Sequence, residues 1–146
     1  MQSIQIKTFQ ELTLQELYSI LKLRVDVFVV EQNCPYHEVD GADMPSIHFF
    51  YKEKEEVVSY LRVIPLDQEL VKIGRVVTHA KFRGQKRSAQ LMESALEYIH
   101  AQFPNKTIML SAQAHLQHFY GSFGFDPVSE VYLEDNIPHV DMKFIE

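Results

Sequence analysis

The chain has 146 residues, 46% hydrophobic and 23% charged, which fits one globular domain over residues 1–146 and excludes a disordered polymer. Its formal net charge of −6 gives no attraction to phosphate backbones, so a nucleic-acid partner is not expected, and a cationic partner such as an amine is favoured. The lone cysteine, Cys34, excludes an intramolecular disulfide, residues 1–10 lack the apolar stretch of a signal peptide, and no apolar run approaches the roughly 20 residues that span a bilayer, so a cytoplasmic protein without a membrane partner is expected.

Residues 3–9 read as a short strand with Ile4 and Ile6 on one face. Thr13 then opens a helix, and Glu16, three residues on, completes a capping box. Leu14, Leu17, Tyr18, Leu21, Val25 and Phe28 follow helical spacing, and Ile20, Leu23 and Val27 widen the stripe, which predicts a well-buried helix. Residues 31–45 hold Pro35, Gly41 and Pro45 among acidic residues and read as a loop. Residues 47–52 and 57–64 read as paired strands joined by a charged turn. Residues 71–78 form a further strand rich in β-branched residues. A helix follows with Leu91, Met92, Ala95, Leu96, Ile99 and Phe103 on its apolar face and Pro104 beyond its end. A strand at 107–112, a helix carrying Leu116, Phe119, Tyr120 and Phe123, a stop at Gly124, and strands at 125–131 and 139–144 complete the order. The alternation predicts an α/β fold with a mixed sheet and helices on both faces.

Two stretches carry candidate chemistry. Between the strand at 71–78 and the next helix lie Lys81, Arg83, Gly84, Gln85, Lys86, Arg87 and Ser88. Free N–H groups at a helix start, the helix dipole, a glycine that permits close approach and basic side chains together suit a phosphate. A solvated turn with scattered basic residues fits the same stretch equally well. In the second stretch, Tyr120 sits near the end of a helix just before Gly124 and Phe125. Taken alone, it reads as a core aromatic whose hydroxyl finds a partner.

Together the two stretches resemble the GNAT acetyltransferase family. That family carries Arg/Gln-x-x-Gly-x-Gly/Ala at its pyrophosphate loop. Here Arg83 matches the first position, Lys86 replaces the middle glycine and Ser88 replaces the last small residue. The run from Phe119 to Phe125 resembles the family's tyrosine helix. A closer likeness, to ElaA-type GNAT proteins, runs through residues 23–36, 40–43, 73–76, 112–117 and 134–139. That subgroup also has lysine at the Lys86 position, while Ser88 departs even there.

The resemblance implies a twisted mixed sheet, splayed near its middle, that takes the pantetheine arm of acetyl-CoA. It implies backbone hydrogen bonds to that arm from Val76, Val77 and Thr78, pyrophosphate binding by Arg83, Gly84, Gln85, Lys86, Arg87 and Ser88, and a contact from Gln113. It also implies direct attack of an amine on the thioester, with Tyr120 as acid for the departing thiol and no metal. The acceptor it implies is a small-molecule or peptide amine. A base must take a proton from that amine, and Glu31, Asp40, Asp43, His48 and His139 are unranked candidates.

Arg24, Glu31, Asp40, Asp43 and His139 are the acceptor-side candidates, with Arg24 either on the surface or paired with Glu31 or Asp40. Two alternatives stand beside an acetyltransferase. One is an acyl-CoA-binding regulatory module without turnover, and the other a Cys-His hydrolase built on Cys34. His115 and His118 lack a third ligand in register for a metal. The sequence leaves the oligomeric state open, a homodimer included.

Overall fold

A computed structural model describes residues 3–145; Met1, Gln2 and Glu146, which belong to the expected 1–146 domain, lie outside the described residues. The elements run β1 (Gln5–Thr8), α1 (Leu14–Arg24), β2 (Ile47–Glu53), β3 (Glu56–Pro65), β4 (Leu70–Thr78), α2 (Arg87–Gln102), β5 (Thr107–Gln113), α3 (Gln117–Gly121), β6 (Phe125–Pro127), β7 (Tyr132–Glu134) and β8 (Ile137–Phe144). They form one sheet in the order β1-β2-β3-β4-β5-β8-β6, with β7 paired to β8. All pairings are antiparallel except β4 with β5.

Strand alternation divides the core between the two faces. On one face Phe49, Leu61, Val63 and Ile73 pack with Leu91, Met92, Ala95 and Ile99 of α2. On the other, Phe50, Val57, Tyr60 and Val77 pack with Ile20, Leu23 and Val27 of the first helical segment. The expected mixed sheet with helices on both faces is therefore present.

The Thr13 capping box forms as its spacing predicts: Thr13 Oγ1 accepts from the Glu16 N–H, and the Glu16 carboxylate accepts from the Thr13 N–H, both at 3.0 Å. Burial of α1 is one-sided, narrower than the widened stripe of the expected well-buried helix. Glu16, Ile20, Leu23 and Arg24 face the sheet, whereas Leu14 is 88% and Tyr18 74% exposed. The residues at steps of three and four from Glu16 hold the sheet-facing side, and Leu14 and Tyr18 lie outside that arc. From Val25 to Glu31 the helix widens into π winding, which places Glu31 and Gln32 at its end.

Two details at the carboxyl end differ from expectation. The strand expected over 125–131 ends at Pro127, and a separate short strand, β7, forms over Tyr132–Glu134. Asp135 and Asn136 both have positive φ, 50° and 63°, and make a two-residue hairpin turn that folds β7 onto β8. Among the described residues no helix is long and apolar enough to cross a membrane.

Candidate functional site

The sheet opens where β4 and β5 part. Their parallel pairing runs from Leu70 with Thr107 to Ile73 with Leu110 and then stops, although β4 continues to Thr78 and β5 to Gln113. The cause lies in β4. The two-residue step from Tyr60 to Arg62 on β3 faces a three-residue step from Val77 to Gly74 on β4. The extra residue forms a bulge in which Arg75 takes φ 54°, and a bulge turns its strand away from the neighbour. On the β3 side Val77 and Thr78 stay in register with Tyr60 and Ser59. On the other side, Val76, Val77 and Thr78 form no ladder with β5, so their edge faces the gap.

At the open end of β4 stands the basic turn. Gly84 has φ 83°, and open space lies where a Cβ would sit. Lys86 caps α2 in the left-handed region at φ 61° without a side-chain hydrogen bond, so the first N–H groups of the helix are left for another acceptor. Ser88 fills its departure from the family pattern usefully. Its hydroxyl lies 2.6 Å from Thr78 Oγ1, which lies 2.8 Å from Ser59 Oγ, so a chain of hydroxyls ties α2 to β4 and β3.

The arginines of this turn do different things. Arg83 is 44% exposed; its Nε donates to the Thr78 carbonyl at 3.0 Å and its two Nη atoms donate to Glu31 at 2.8 and 3.0 Å. Arg87 turns away from the gap. It lies over the rings of Phe82 and Tyr51 and donates to Glu53 at 2.5 Å.

Gln113 ends β5 and exchanges amide hydrogen bonds of 3.2 and 3.4 Å with Gln32. Its cross-strand partner is His139. His139 Nδ1 lies 2.7 Å from the Ile137 carbonyl, its ring stacks on Tyr132, and Glu134 lies 3.7 Å from Nε2. A carbonyl can only accept, so Nδ1 carries the proton of the neutral ring and Nε2 keeps its lone pair.

Tyr120 comes from α3, on the α2 side of the sheet, with its ring edge-on to Phe119 at 5.0 Å. Burial alone raises the pKa of its hydroxyl, so the group is protonated at neutral pH. Among the described residues the buried side-chain polar atoms without a partner are Arg62 Nε and Arg87 Nη1. The Tyr120 hydroxyl likewise has no hydrogen bond among the described residues, and the residue is buried at 6% exposure. The core partner that a bland reading supplies for it is therefore not present.

The loop 36–43 corrects two acceptor-side expectations. Arg24 is completely buried and pairs with Glu38 at 2.5 Å and Asp43 at 2.6 Å, not with Glu31 or Asp40. Asp43 is itself buried and shared with Arg62 at 2.9 Å. Asp40 joins Arg62 and the bulge residue Arg75, Glu38 also binds Arg75, and the Tyr36 hydroxyl donates to Glu38. Three arginines and three carboxylates thus fasten this loop to the β4 bulge. Arg24 and Asp43 are withdrawn from any acceptor by burial and mutual neutralisation. His48 is withdrawn as well: it is buried, its ring nitrogens contact the Tyr60 hydroxyl and the Asp43 carbonyl, and burial lowers its pKa. Cys34 is buried, with its thiol 3.1 Å from the Asp135 carbonyl. Among the described residues no three His, Cys, Asp or Glu side chains gather as metal ligands.

Sequence reasoning missed Glu38, Arg62 and Arg75 in this cluster, and Gln32 at the gap. Arg62 gave a signal, since a charged residue inside the apolar run of β3 needs a buried partner.

Comparison with known proteins agrees with this geometry. The Acetyltransferase (GNAT) domain matches residues 16–146. Protein ElaA of Escherichia coli is 48% identical over 136 residues, covering 90% of this chain and 89% of that protein. The crystal structure of an acyl-CoA N-acyltransferase from Pseudomonas aeruginosa superposes with a TM-score of 0.93 at 44% identity, over 99% of this chain and 100% of that one. The crystal structure of Escherichia coli ElaA also gives 0.93, at 45% identity and the same coverage. The chain therefore belongs to the GNAT acetyltransferase family and is similar over most of its length to ElaA.

Proposed function

We propose that this protein transfers an acetyl group from acetyl-CoA to the amine of a small molecule or peptide, with residues 1–146 acting as one catalytic domain in the cytoplasm. The observation that carries the reading is the gap between β4 and β5, which leaves the backbone edge of Val76, Val77 and Thr78 without a strand. An extended pantetheine arm with its two amides can add there as a strand would. The residues fit the rest of the donor. Gly84 offers open space, and the uncapped start of α2 with Arg83, Gln85, Lys86 and the N–H groups of Arg87 and Ser88 offers an anion site. Gln113 lines the opposite wall.

The donor supplies an activated thioester carbonyl. The amine nitrogen bonds to the carbonyl carbon, the carbon–sulfur bond breaks, and Tyr120 gives its proton to the leaving sulfur. The proton shed by the new amide nitrogen restores Tyr120. The acceptor arrives as an ammonium and must first lose one proton. Among the five base candidates, Asp43 and His48 are buried in the arginine cluster, and Glu31 and Asp40 are engaged by arginines. His139 keeps a basic Nε2 one strand from Gln113, so it is assigned the base, with Glu31 and Asp40 at the acceptor-side rim. For an alkylamine acceptor, His139→Gln should lower kcat/KM by about 10²-fold. With hydroxylamine, already neutral near pH 7, it should lose little. Equal losses with both amines would show that His139 only supports structure.

Binding tests the cofactor reading. Acetyl-CoA should raise the melting temperature in proportion to the logarithm of its concentration, because it binds only the folded chain. Arg83→Ala should weaken calorimetric affinity about tenfold, while Arg87→Ala should mainly lower stability, since its side chain is occupied by Glu53, Phe82 and Tyr51. Equal affinities in the parent and both variants would remove this turn from the phosphate site.

A further inference from the structure

Glu31 and Gln32, adjacent at the end of the π-wound segment, touch both walls of the gap. Glu31 occupies the outer fork of Arg83, the basic residue that heads the phosphate turn. Arg83 in turn uses its Nε on the Thr78 carbonyl, a group on the edge assigned to the pantetheine arm. Gln32 pairs both ends of its amide with Gln113 at the end of β5. Three groups assigned to the donor are therefore already engaged, on the β4 wall through Glu31 and on the β5 wall through Gln32.

We infer that Glu31–Gln32 is a bolt across the donor cleft, and that Glu31 controls donor affinity by competing with the pyrophosphate for Arg83. The inference rests on the cofactor reading above. A carboxylate and a phosphate present similar pairs of oxygens to a guanidinium fork, so they exclude each other there. Arg83 lowers the pKa of the Glu31 carboxyl through its hydrogen bonds, so Glu31 is a full anion at neutral pH and also repels incoming phosphates. The bolt is weak enough to open. The Glu31 and Arg83 side chains are each 44% exposed, and exposed pairs hold loosely, whereas coenzyme A brings several negative charges. Once displaced, the Glu31 carboxylate is released at the edge of the gap, where a cationic acceptor is expected.

The test is calorimetric titration, with association rates from stopped-flow mixing, of the parent, Glu31→Gln and Gln32→Ala with coenzyme A and with pantetheine, which has the arm without phosphates. Glu31→Gln keeps the side chain's shape and removes its charge. Coenzyme A should bind the variant about two- to fivefold more tightly and associate faster, while pantetheine affinity stays unchanged. Gln32→Ala should speed coenzyme A association without removing the charge effect. Unchanged or weaker coenzyme A binding by a folded Glu31→Gln variant, beside normal binding by the parent, would overturn the bolt and leave the cofactor reading standing. Failure of the parent to bind coenzyme A would sink the cofactor reading and the bolt together.

Discussion

Tyr120→Phe should lower kcat by about 10²–10⁴-fold, the usual cost of losing a general acid, while KM for acetyl-CoA changes far less. The substitution removes one oxygen and keeps the ring that packs against Phe119 and lies behind the β5 wall. Because the hydroxyl makes no core hydrogen bond among the described residues, the melting temperature should hardly move. A hydroxyl buried for stability would behave in the opposite way, costing on the order of 1 kcal/mol and leaving turnover intact. Burial also keeps the group protonated across the neutral range, so activity should not depend on Tyr120 losing its proton below about pH 10. Full activity in the variant would end the assignment.

The second large effect concerns stability. Arg24→Met should destabilise the fold by about 3 kcal/mol, or roughly 6–12 °C in melting temperature for a chain of this size. Methionine fills much of the volume but leaves the buried carboxylates of Glu38 and Asp43 short of a guanidinium. Arg62 and Arg75 still neutralise part of that charge, which keeps the loss at the low end for a broken buried pair.

The same cluster fixes an acid limit. Burial opposes ionisation of Asp43, but the Arg24 and Arg62 guanidinium groups prevail and hold its carboxyl below the usual range. In Asp40, burial is likewise outweighed, by Arg62, the Ala42 N–H and Arg75. A carboxyl depressed on folding contributes stability that is fully present above its unfolded value of about 3.9 and lost as pH falls towards its folded value. The contribution should therefore be flat from neutral pH to about 4 and then fall. Thermal unfolding between pH 2 and 7 checks this. In Arg24→Met the decline should begin at higher pH, since Asp43 loses its strongest partner.

What the sequence made legible follows from distance along the chain. The Thr13–Glu16 cap, the apolar face of α2 and the turn around Gly84 rest on neighbours within one or two helical turns, and their spacing is visible in the letters. The gap was expected only through family resemblance, because a bulge at Arg75 leaves no pattern that composition or period can read. Arg24 was misplaced because its partners lie 14 and 19 residues away, in a loop with no period. The β7–β8 hairpin was readable in principle: Asp135-Asn136 is a turn pair that tolerates positive φ, but β7 is only three residues long. The Glu31–Arg83 and Gln32–Gln113 contacts span 52 and 81 residues and exist only once the sheet has formed.

Release of free thiol from acetyl-CoA across a panel of primary amines, followed with a chromogenic disulfide, tests the transferase reading most directly. The reading predicts that at least one amine drives thiol release at a rate that saturates in both substrates and collapses in Tyr120→Phe. Saturable binding of acetyl-CoA with no amine-dependent release from any member of a broad panel would contradict it and favour a binding module without turnover.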